Sequence, residues 1–145
     1  MSKIKINFEL HRDEDGYPPI ESESLWAQES ESGLYLLDNI PFFEREATVG
    51  DLVAANAIDG VLWFVRVVKP SANSLIRAVF FDTASIDEVR QKLSSIGCES
   101  EYFQKHNLIA INVPPEASLK AVQDYLAAVA ARGWIDYEEP ILRQH

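Results

Sequence analysis

The sequence predicts an α+β protein, with a β-rich N-terminal half and a C-terminal half that alternates strands and helices. Three observations support this prediction. Residues 3–10 alternate apolar and polar side chains, which is the period of a half-buried strand. Residues 86–96 and 116–132 instead repeat apolar side chains at the spacing of a helix. The length of 145 residues is enough for one domain with a sizeable core.

The N-terminal half is predicted to form a small barrel or curled sheet. After the strand at 3–10, four segments rich in apolar residues are separated by glycines and other turn residues. These segments are residues 24–29, 33–37, 51–55 and 61–68. The last of them is apolar on both faces apart from Arg66, which predicts a buried strand. We therefore expect residues 1–70 to form one β-rich unit.

The C-terminal half begins with a predicted strand and helix. Residues 75–81 are β-branched and aromatic, which favours a strand. Ser85 and Glu88 have the spacing of a capping box, in which each side chain bonds the other residue's amide. A helix is expected to start there and to end at Gly97, where a left-handed C-cap is favoured.

The remainder of this half completes a known order of elements. Residues 98–104 and 108–113 predict a hairpin, which is followed by the helix over 116–132 and a short strand over 134–142. Strand, helix, strand, strand, helix, strand is the order of ferredoxin-like βαββαβ folds, which carry both helices on one sheet face. We therefore expect residues 71–145 to form a ferredoxin-like sandwich.

The two halves are predicted to share one β-ribbon. The strand over 61–68 should return through residues 70–73 into the strand over 75–81, because proline and asparagine favour a turn there. Covalent continuity within one ribbon leads us to expect that residues 1–145 fold as a single cooperative unit.

In that ribbon Arg66 would face Arg77 across the two strands. Like charges in directly opposite positions are unfavourable unless an anionic group lies between them. An internal ion pair is the favoured explanation, because an unpaired arginine among apolar neighbours is costly. The candidate carboxylates are Asp51, Asp59 and Asp82. The alternative is a site for a bound anion at Arg66 and Arg77.

Charge excludes some classes of partner. Twenty-three acidic residues against thirteen basic ones give a net charge of −10, which repels nucleic acid and anionic membrane. No apolar run reaches the ~20 residues that cross a bilayer, and the N-terminus lacks the apolar core of a signal peptide. We therefore expect a cytoplasmic protein. Residues 1–51 carry a balance of −8, and the remaining 94 carry −2.

The sequence predicts no catalytic residue, no metal site and no cofactor. The six glycines are dispersed, so a phosphate-binding loop is absent from the pattern. Cys98 is the lone cysteine, and it is interpreted as a small buried hydrophobe and not as the partner of His106 in catalysis. Residues 13–16 have some features of a calcium loop but lack its spaced oxygen ligands.

The acidic first third of the chain also holds aromatic residues, namely Trp26, Tyr35, Phe42 and Phe43. Aromatic anchors ringed by carboxylates suit the capture of a basic protein, because charge speeds encounter and aromatic burial supplies affinity. The alternative is that these aromatics belong to the core. The predicted partner-binding residues are Asp13, Glu14, Asp15, Glu21, Glu23, Trp26, Glu29 and Glu31.

Several short phrases are spread over most of the chain. They are residues 13–19, 23–26, 35–43 and 50–53, together with the strands that carry Arg66 and Arg77. In these phrases the chain resembles an uncharacterised bacterial family, domain of unknown function four-two-six-five. The resemblance lies in phrases and not in catalytic motifs, so it implies no particular reaction and no site residues.

These observations favour a non-catalytic binding protein that masks a basic protein partner. An immunity protein that neutralises a bacterial toxin, with a nuclease as one candidate, fits the acidic charge, since nuclease sites are electropositive. The alternatives are a small-ligand sensor with an anion site at Arg66 and Arg77, and an enzyme without a linear motif.

Overall fold

The computed structural model describes residues 3–30 and 33–144, and the chain divides into two compact units, Met1–Ser71 and Ala72–His145. The first unit is a five-stranded barrel, and the second is a four-stranded sheet with two helices. The predicted α+β class is therefore confirmed.

The N-terminal unit is a closed barrel whose strands follow the order β1-β2-β3-β4-β5. The strands are β1 (Lys3–Glu9), β2 (Ser22–Glu29), β3 (Tyr35–Leu37), β4 (Leu52–Ile58) and β5 (Val61–Lys69). Successive strands pair antiparallel, and β5 closes the barrel by pairing parallel with β1, where Asn7 lies opposite Trp63. Closure removes the free sheet edges that a curled open sheet would leave.

The alternation along β1 and β2 explains the interior of the barrel. Ile6 and Phe8 of β1 and Leu25 and Ala27 of β2 are buried, and the residues between them face outward. The ring of Phe64 stacks on Phe8 with centroids 4.6 Å apart, which closes the interior from the β5 side.

The prediction that β5 is buried on both faces is wrong. Its neighbour β4 pairs Ala54 with Arg66 and then Ala55 with Phe64, so Val65 forms a bulge that interrupts the alternation. Phe64 packs against the barrel core, whereas Val65 is exposed. The apolar residues of the outer face therefore lie at the surface of this unit.

The C-terminal unit contains β6 (Ser74–Phe80), α1 (Ile86–Ser95), β7 (Glu99–Phe103), β8 (Leu108–Val113), α2 (Leu119–Ala131) and β9 (Ile135–Ile141). The sheet order is β7-β8-β6-β9, and all neighbours are antiparallel. Apolar residues of β6 and β8 share one core with the buried stripes of α1 and α2. That packing accounts for the helical periodicity in the sequence.

The predicted capping box at the start of α1 is wrong. Ser85 makes no side-chain cap bond, and its Oγ donates instead to the carbonyl of Asp82 at 2.7 Å. Residues Thr83–Ser85 form a 3-10 turn, and the Asp82 carboxylate accepts the amide of Ala84 at 3.1 Å. The cap therefore serves the turn that precedes the helix. Helix α2 does have a serine N-cap, since Ser118 Oγ accepts the amide of Ala121 at 3.1 Å.

The predicted shared ribbon is also wrong, because β5 belongs to the barrel and β6 to the other sheet. The buried Asp51 explains why the barrel strand stops. Its carboxylate accepts the Ser71 amide at 2.9 Å, and Ser71 Oγ donates to the carbonyl of Val49 at 2.8 Å. These bonds tie the end of β5 to the loop before β4, so the chain leaves the barrel at this point. Cooperative folding of residues 1–145 stays a prediction.

In the described part of the chain, neither helix has the length and apolar character needed to cross a bilayer.

Candidate functional site

A concave site of about 510 Å³ lies in the N-terminal unit, beyond the end of β1. We call it the acidic cleft. It is lined by residues 9–11 at the end of β1, by Asp13, Tyr17 and Pro18 of the following loop, by residues 43–46, and by Phe64 and Val65 of β5.

The loop between β1 and β2 is held by its own polar groups. Asp13 Oδ1 accepts the amides of Asp15 and Tyr17, both at 2.9 Å, and the amide of Gly16 donates to the Asp13 carbonyl. Arg12 donates to the carbonyls of Gly16 and Pro18. This is the aspartate turn that the acidic, glycine-containing loop favours, and it positions the Tyr17 side chain at the cleft.

The loop over residues 42–46 is anchored by a carboxylate from β2. Glu23 is 8% exposed, and its Oε1 accepts the amides of Phe43 at 3.0 Å and Glu44 at 2.9 Å. Its Oε2 accepts the amide of Phe42 at 2.6 Å. Three successive backbone amides that converge in this way form an anion-binding concavity, and the anion they bind is the Glu23 carboxylate of the same chain. Glu23 thus fixes the wall of the cleft.

Glu44 is the buried carboxylate of the acidic cleft, with 8% of its surface exposed. Burial raises the pKa of Glu44, with smaller contributions from the nearby charges of Glu46 and Glu23. The amides of Glu46 and Arg45 oppose that rise by donating to the carboxylate. A cation in the cleft would favour the ionised form of Glu44, because opposite charge lowers a carboxyl pKa.

The charges of the cleft are mostly negative. Among its described lining residues, the carboxylates of Glu9, Asp13, Glu44 and Glu46 outnumber the guanidinium of Arg45, and His11 is the remaining titratable base. Aromatic rings accompany these charges, with Tyr17 and Phe43 edge to face at 6.2 Å and Phe64 at the β5 wall. Carboxylates beside aromatic faces are suited to a cationic group.

A second concavity of about 570 Å³ adjoins the acidic cleft, and both are lined by Glu9, Leu10 and Phe64. We call it the apolar cleft. Its other lining residues are Glu21, Ser22, Ile58 and Trp63. Ile58 is 56% exposed at the end of β4, so this cleft offers an accessible apolar side chain beside Trp63.

The structure brings part of the predicted partner-binding set to these clefts. Asp13 lines the acidic cleft, and Glu21 lines the apolar cleft. Glu14 and Asp15 are exposed in the same turn as Asp13.

Other members of that set lie elsewhere. Glu23 is buried under the 42–46 loop, so its carboxylate holds the loop and is not presented to a partner. Trp26 is 42% exposed on the outer face of β2, where the Lys5 ammonium lies 4.9 Å from its ring centroid. A basic group therefore packs on this ring, where the sequence predicted surrounding carboxylates. Glu29 is exposed at the end of β2, and Glu31 lies outside the described residues.

The predicted aromatic surface is divided. Phe43 is buried and lines the acidic cleft, while Tyr35 packs against the barrel core and Phe42 is half-buried. The alternative that these aromatics serve the core is thus correct for Tyr35 and for Phe43, which is 5% exposed.

Arg66 and Arg77 are not cross-strand neighbours, because β5 pairs with β4 and β1, whereas β6 pairs with β8 and β9. Arg77 is 2% exposed, and its Nε lies 3.1 Å from Oε1 of Glu138 on β9. An internal ion pair was the favoured expectation for Arg77, but its partner is Glu138 and not Asp51, Asp59 or Asp82. Arg66 is exposed opposite Ala54. The cross-strand anion site that depended on their pairing therefore loses its basis.

Cys98 is buried, and desolvation raises the pKa of its thiol to about 11. A nucleophilic cysteine needs the opposite shift. The ring of His106 lies against Phe103, with centroids 4.9 Å apart. Within residues 3–30 and 33–144, no three His, Cys, Asp or Glu side chains are grouped so as to hold a metal ion.

Sequence reasoning missed Glu9, Glu44, Glu46 and Phe64 as site residues. Glu9 lies within a regular strand pattern and Phe64 lies within an apolar run, so neither carries a local signal. Their meeting depends on the parallel pairing of β1 with β5, which joins segments far apart in sequence. Acids at both 44 and 46 after the aromatic pair 42–43 were the one available hint.

Two comparisons with known proteins give matches. A solved structure, described as a novel crystal structure of a hypothetical protein from Neisseria gonorrhoeae, has a TM-score of 0.84 and 22% identity. The alignment covers 100% of this chain and 99% of that one, so the two share a fold. No curated protein matches the chain. The model of the family named domain of unknown function DUF4265 matches residues 23–137. The chain therefore belongs to the DUF4265 family, as its sequence phrases indicated.

Proposed function

We propose that this protein is a non-catalytic, acidic binding protein that masks a basic protein partner. In its most specific form, the proposal is an immunity protein that neutralises a bacterial toxin in the cytoplasm, with nucleases as one candidate class. The single observation that carries it is the acidic cleft, where four carboxylates and three aromatic rings line one concave surface.

The electrostatics of the cleft support a basic partner. Clustered carboxylates at a concave surface focus the negative potential, which raises the encounter rate with a positively charged protein. The net charge of −10 adds a longer-range attraction, which salt screens. A nuclease is one suitable target, because its active site holds phosphates and is therefore electropositive.

The second candidate is an enzyme that uses Glu44 as a proton donor or acceptor. The raised pKa of a carboxyl group in a concave site favours it, since catalytic acids have such shifts. Burial alone also raises the pKa of a structural carboxyl, so this observation is less specific than the charge and shape of the cleft. The two candidates are separated by one test. A masking protein inhibits the activity of its isolated partner and turns over no substrate itself, whereas an enzyme has a turnover of its own.

We also propose that the C-terminal unit is ferredoxin-like. Its chain order, β6-α1-β7-β8-α2-β9, and the position of β8 between β6 and β7 support this assignment. In a split βαβ unit, a third strand lies between the two that the helix connects. Such a fold carries no function by itself, so the proposal for the protein depends on the barrel clefts.

The test is affinity capture from the native host with tagged protein, at low and moderate salt, followed by purification of what is retained. The variant Glu14→Gln, Asp15→Asn, Glu46→Gln removes three exposed charges at or beside the acidic cleft. The control variant Glu88→Gln, Glu99→Gln, Glu116→Gln removes three exposed charges from the C-terminal unit.

We expect the wild type and the control to retain one basic protein and to inhibit its activity when both are purified. The cleft variant should bind that protein more weakly, with the largest loss at low salt, where attraction is least screened. Capture of no protein at either salt, or equal capture by both variants, would reject the proposal.

A further inference from the structure

The acidic and apolar clefts are neighbours on one surface of the barrel. Glu9, Leu10 and Phe64 line both, so a bound chain segment can contact the two clefts with adjacent side chains. This continuity follows from the parallel pairing of β1 with β5, which places the end of β1 beside the middle of β5.

The two clefts differ in chemistry. The acidic cleft offers carboxylates, including the buried Glu44, beside the rings of Tyr17 and Phe43. Arg45 also lines it, so the preference for a cation depends on the excess of carboxylates. The apolar cleft offers Ile58 and Trp63 with a single acid of its own, Glu21.

We propose that the paired clefts bind a protein segment that presents a cationic side chain beside a bulky apolar one. The guanidinium or ammonium group enters the acidic cleft, and the apolar side chain enters the apolar cleft. This inference rests on the proposed function and adds a definite chemistry for the partner.

Charge complementarity and hot-spot energetics support this occupant. Interfaces take most of their affinity from a few aromatic and arginine contacts in desolvated pockets, surrounded by weaker ones. Trp63 and Phe64 supply aromatic surface, and Glu44 supplies a carboxylate that is already largely removed from water. A cation reaching Glu44 would therefore interact in a low-dielectric setting, where the attraction is stronger than at an exposed carboxylate.

Four blocked dipeptides test the inference directly with the full-length protein. They are the N-acetyl amides of Arg-Leu, Arg-Gly, Gly-Leu and Glu-Leu, titrated while the backbone amide signals are followed by NMR. We expect Arg-Leu to shift signals in residues 9–11, 43–46 and 58–65, with an affinity at least about tenfold above Arg-Gly and Gly-Leu. Glu-Leu should bind most weakly, because its carboxylate meets the carboxylates of the cleft.

Two variants assign the clefts, and a third serves as a control. Glu44→Gln should weaken the binding of Arg-Leu and Arg-Gly but leave that of Gly-Leu unchanged. Glu46→Gln repeats this test at an exposed position. Ile58→Ser should weaken the binding of Arg-Leu and Gly-Leu but leave that of Arg-Gly unchanged. Glu116→Gln, exposed in the C-terminal unit, should change none of them.

Failure of this inference is distinct from failure of the proposed function. If a basic protein is captured and masked but no dipeptide shifts the cleft signals, the paired-cleft inference is rejected and the masking role stands. If Arg-Leu binds as expected but no basic protein is inhibited, the masking role is rejected and the site stands. Equal affinity for all four dipeptides, or shifts caused by self-association of this chain through Ile58, would overturn the inference.

Discussion

Replacing Glu23 by alanine should destabilise the barrel and loosen the wall of the acidic cleft. The carboxylate accepts the amides of Phe42, Phe43 and Glu44 at 2.6, 3.0 and 2.9 Å, and it is 8% exposed. Alanine removes that acceptor from all three amides and brings no replacement. The 42–46 loop then loses its bonds to β2.

The expected magnitude follows from the burial of each amide. The bonds to Phe43 and Glu44 are buried, and the bond to Phe42 is partly buried. A buried amide that loses its acceptor costs about 1–3 kcal/mol, so the two buried ones set a loss of about 2–6 kcal/mol in the free energy of unfolding. Glu23→Gln keeps an oxygen for those two amides and turns an NH2 group toward Phe42, so we expect about 1–3 kcal/mol.

Urea unfolding and amide hydrogen exchange measure the two consequences. Exchange at residues 42–44 should accelerate in Glu23→Ala more than in Glu23→Gln, and the midpoint of unfolding should fall in the same order. Glu29→Ala and Glu29→Gln are matched controls, because Glu29 is exposed at the end of the same strand. If both Glu23 variants unfold within about 0.5 kcal/mol of these surface controls, the anchoring argument is refuted.

Four further predictions concern other groups. Arg77→Ala should lower the free energy of unfolding by about 3 kcal/mol, because it empties the space of a side chain that is 2% exposed and removes its ion pair with the partly exposed Glu138. Exposed Arg66→Ala should stay within about 0.5 kcal/mol in the same urea titration. Because the pKa of Glu44 is raised in the folded state, wild-type stability declines as pH rises from the unfolded pKa through the folded one. Glu44→Gln should therefore raise Tm relative to wild type at pH 7 but not below pH 4. Equal differences in Tm at both pH values would contradict this. Since the pKa of Cys98 is about 11, roughly a thousandth of this thiol is ionised at pH 8, so alkylation should be slow until urea unfolds the chain. Amide NMR signals of both units should disappear at one urea midpoint if residues 1–145 fold cooperatively, and two midpoints would reject that prediction.

The sequence was most informative where local pattern and tertiary packing agree. The stripe of Val122, Leu126 and Val129 predicted helix α2, and these residues are buried in the C-terminal core. The error at β5 has a nonlocal origin. The apolar run of β5 predicted a buried strand, but the bulge at Val65 and the closure of the barrel decide which side chains face inward. Neither the bulge nor the barrel closure can be recognised from the nine residues of β5 alone.

The candidate site was less predictable than the fold, because acids of the same type serve different purposes. Asp13 was identified from its acidic loop, and it does line the acidic cleft. Glu23 belongs to the same predicted set, yet its carboxylate is buried under the 42–46 loop, whereas the Asp13 carboxylate binds amides of its own turn and stays exposed. The three amides that make this difference come from a loop about 20 residues away, so composition cannot distinguish the two acids.

The acidic excess of the first 51 residues therefore overstates the negative charge that a partner meets. Glu23 and Asp51 are buried and bind backbone amides, and Asp38 is paired with Lys3 at 3.2 Å. What distinguishes the cleft carboxylates is their common position around one concavity, and not their number in the sequence. If a basic partner is recognised through that concavity, a few cleft charges should control the salt dependence of binding, and neutralising an equal number of acids elsewhere should change it little. The same reasoning explains why Trp26, an exposed aromatic of the acidic segment, is a weaker candidate than Trp63. Its ring lies beneath Lys5, whereas Trp63 lines a cleft whose described charged groups are carboxylates.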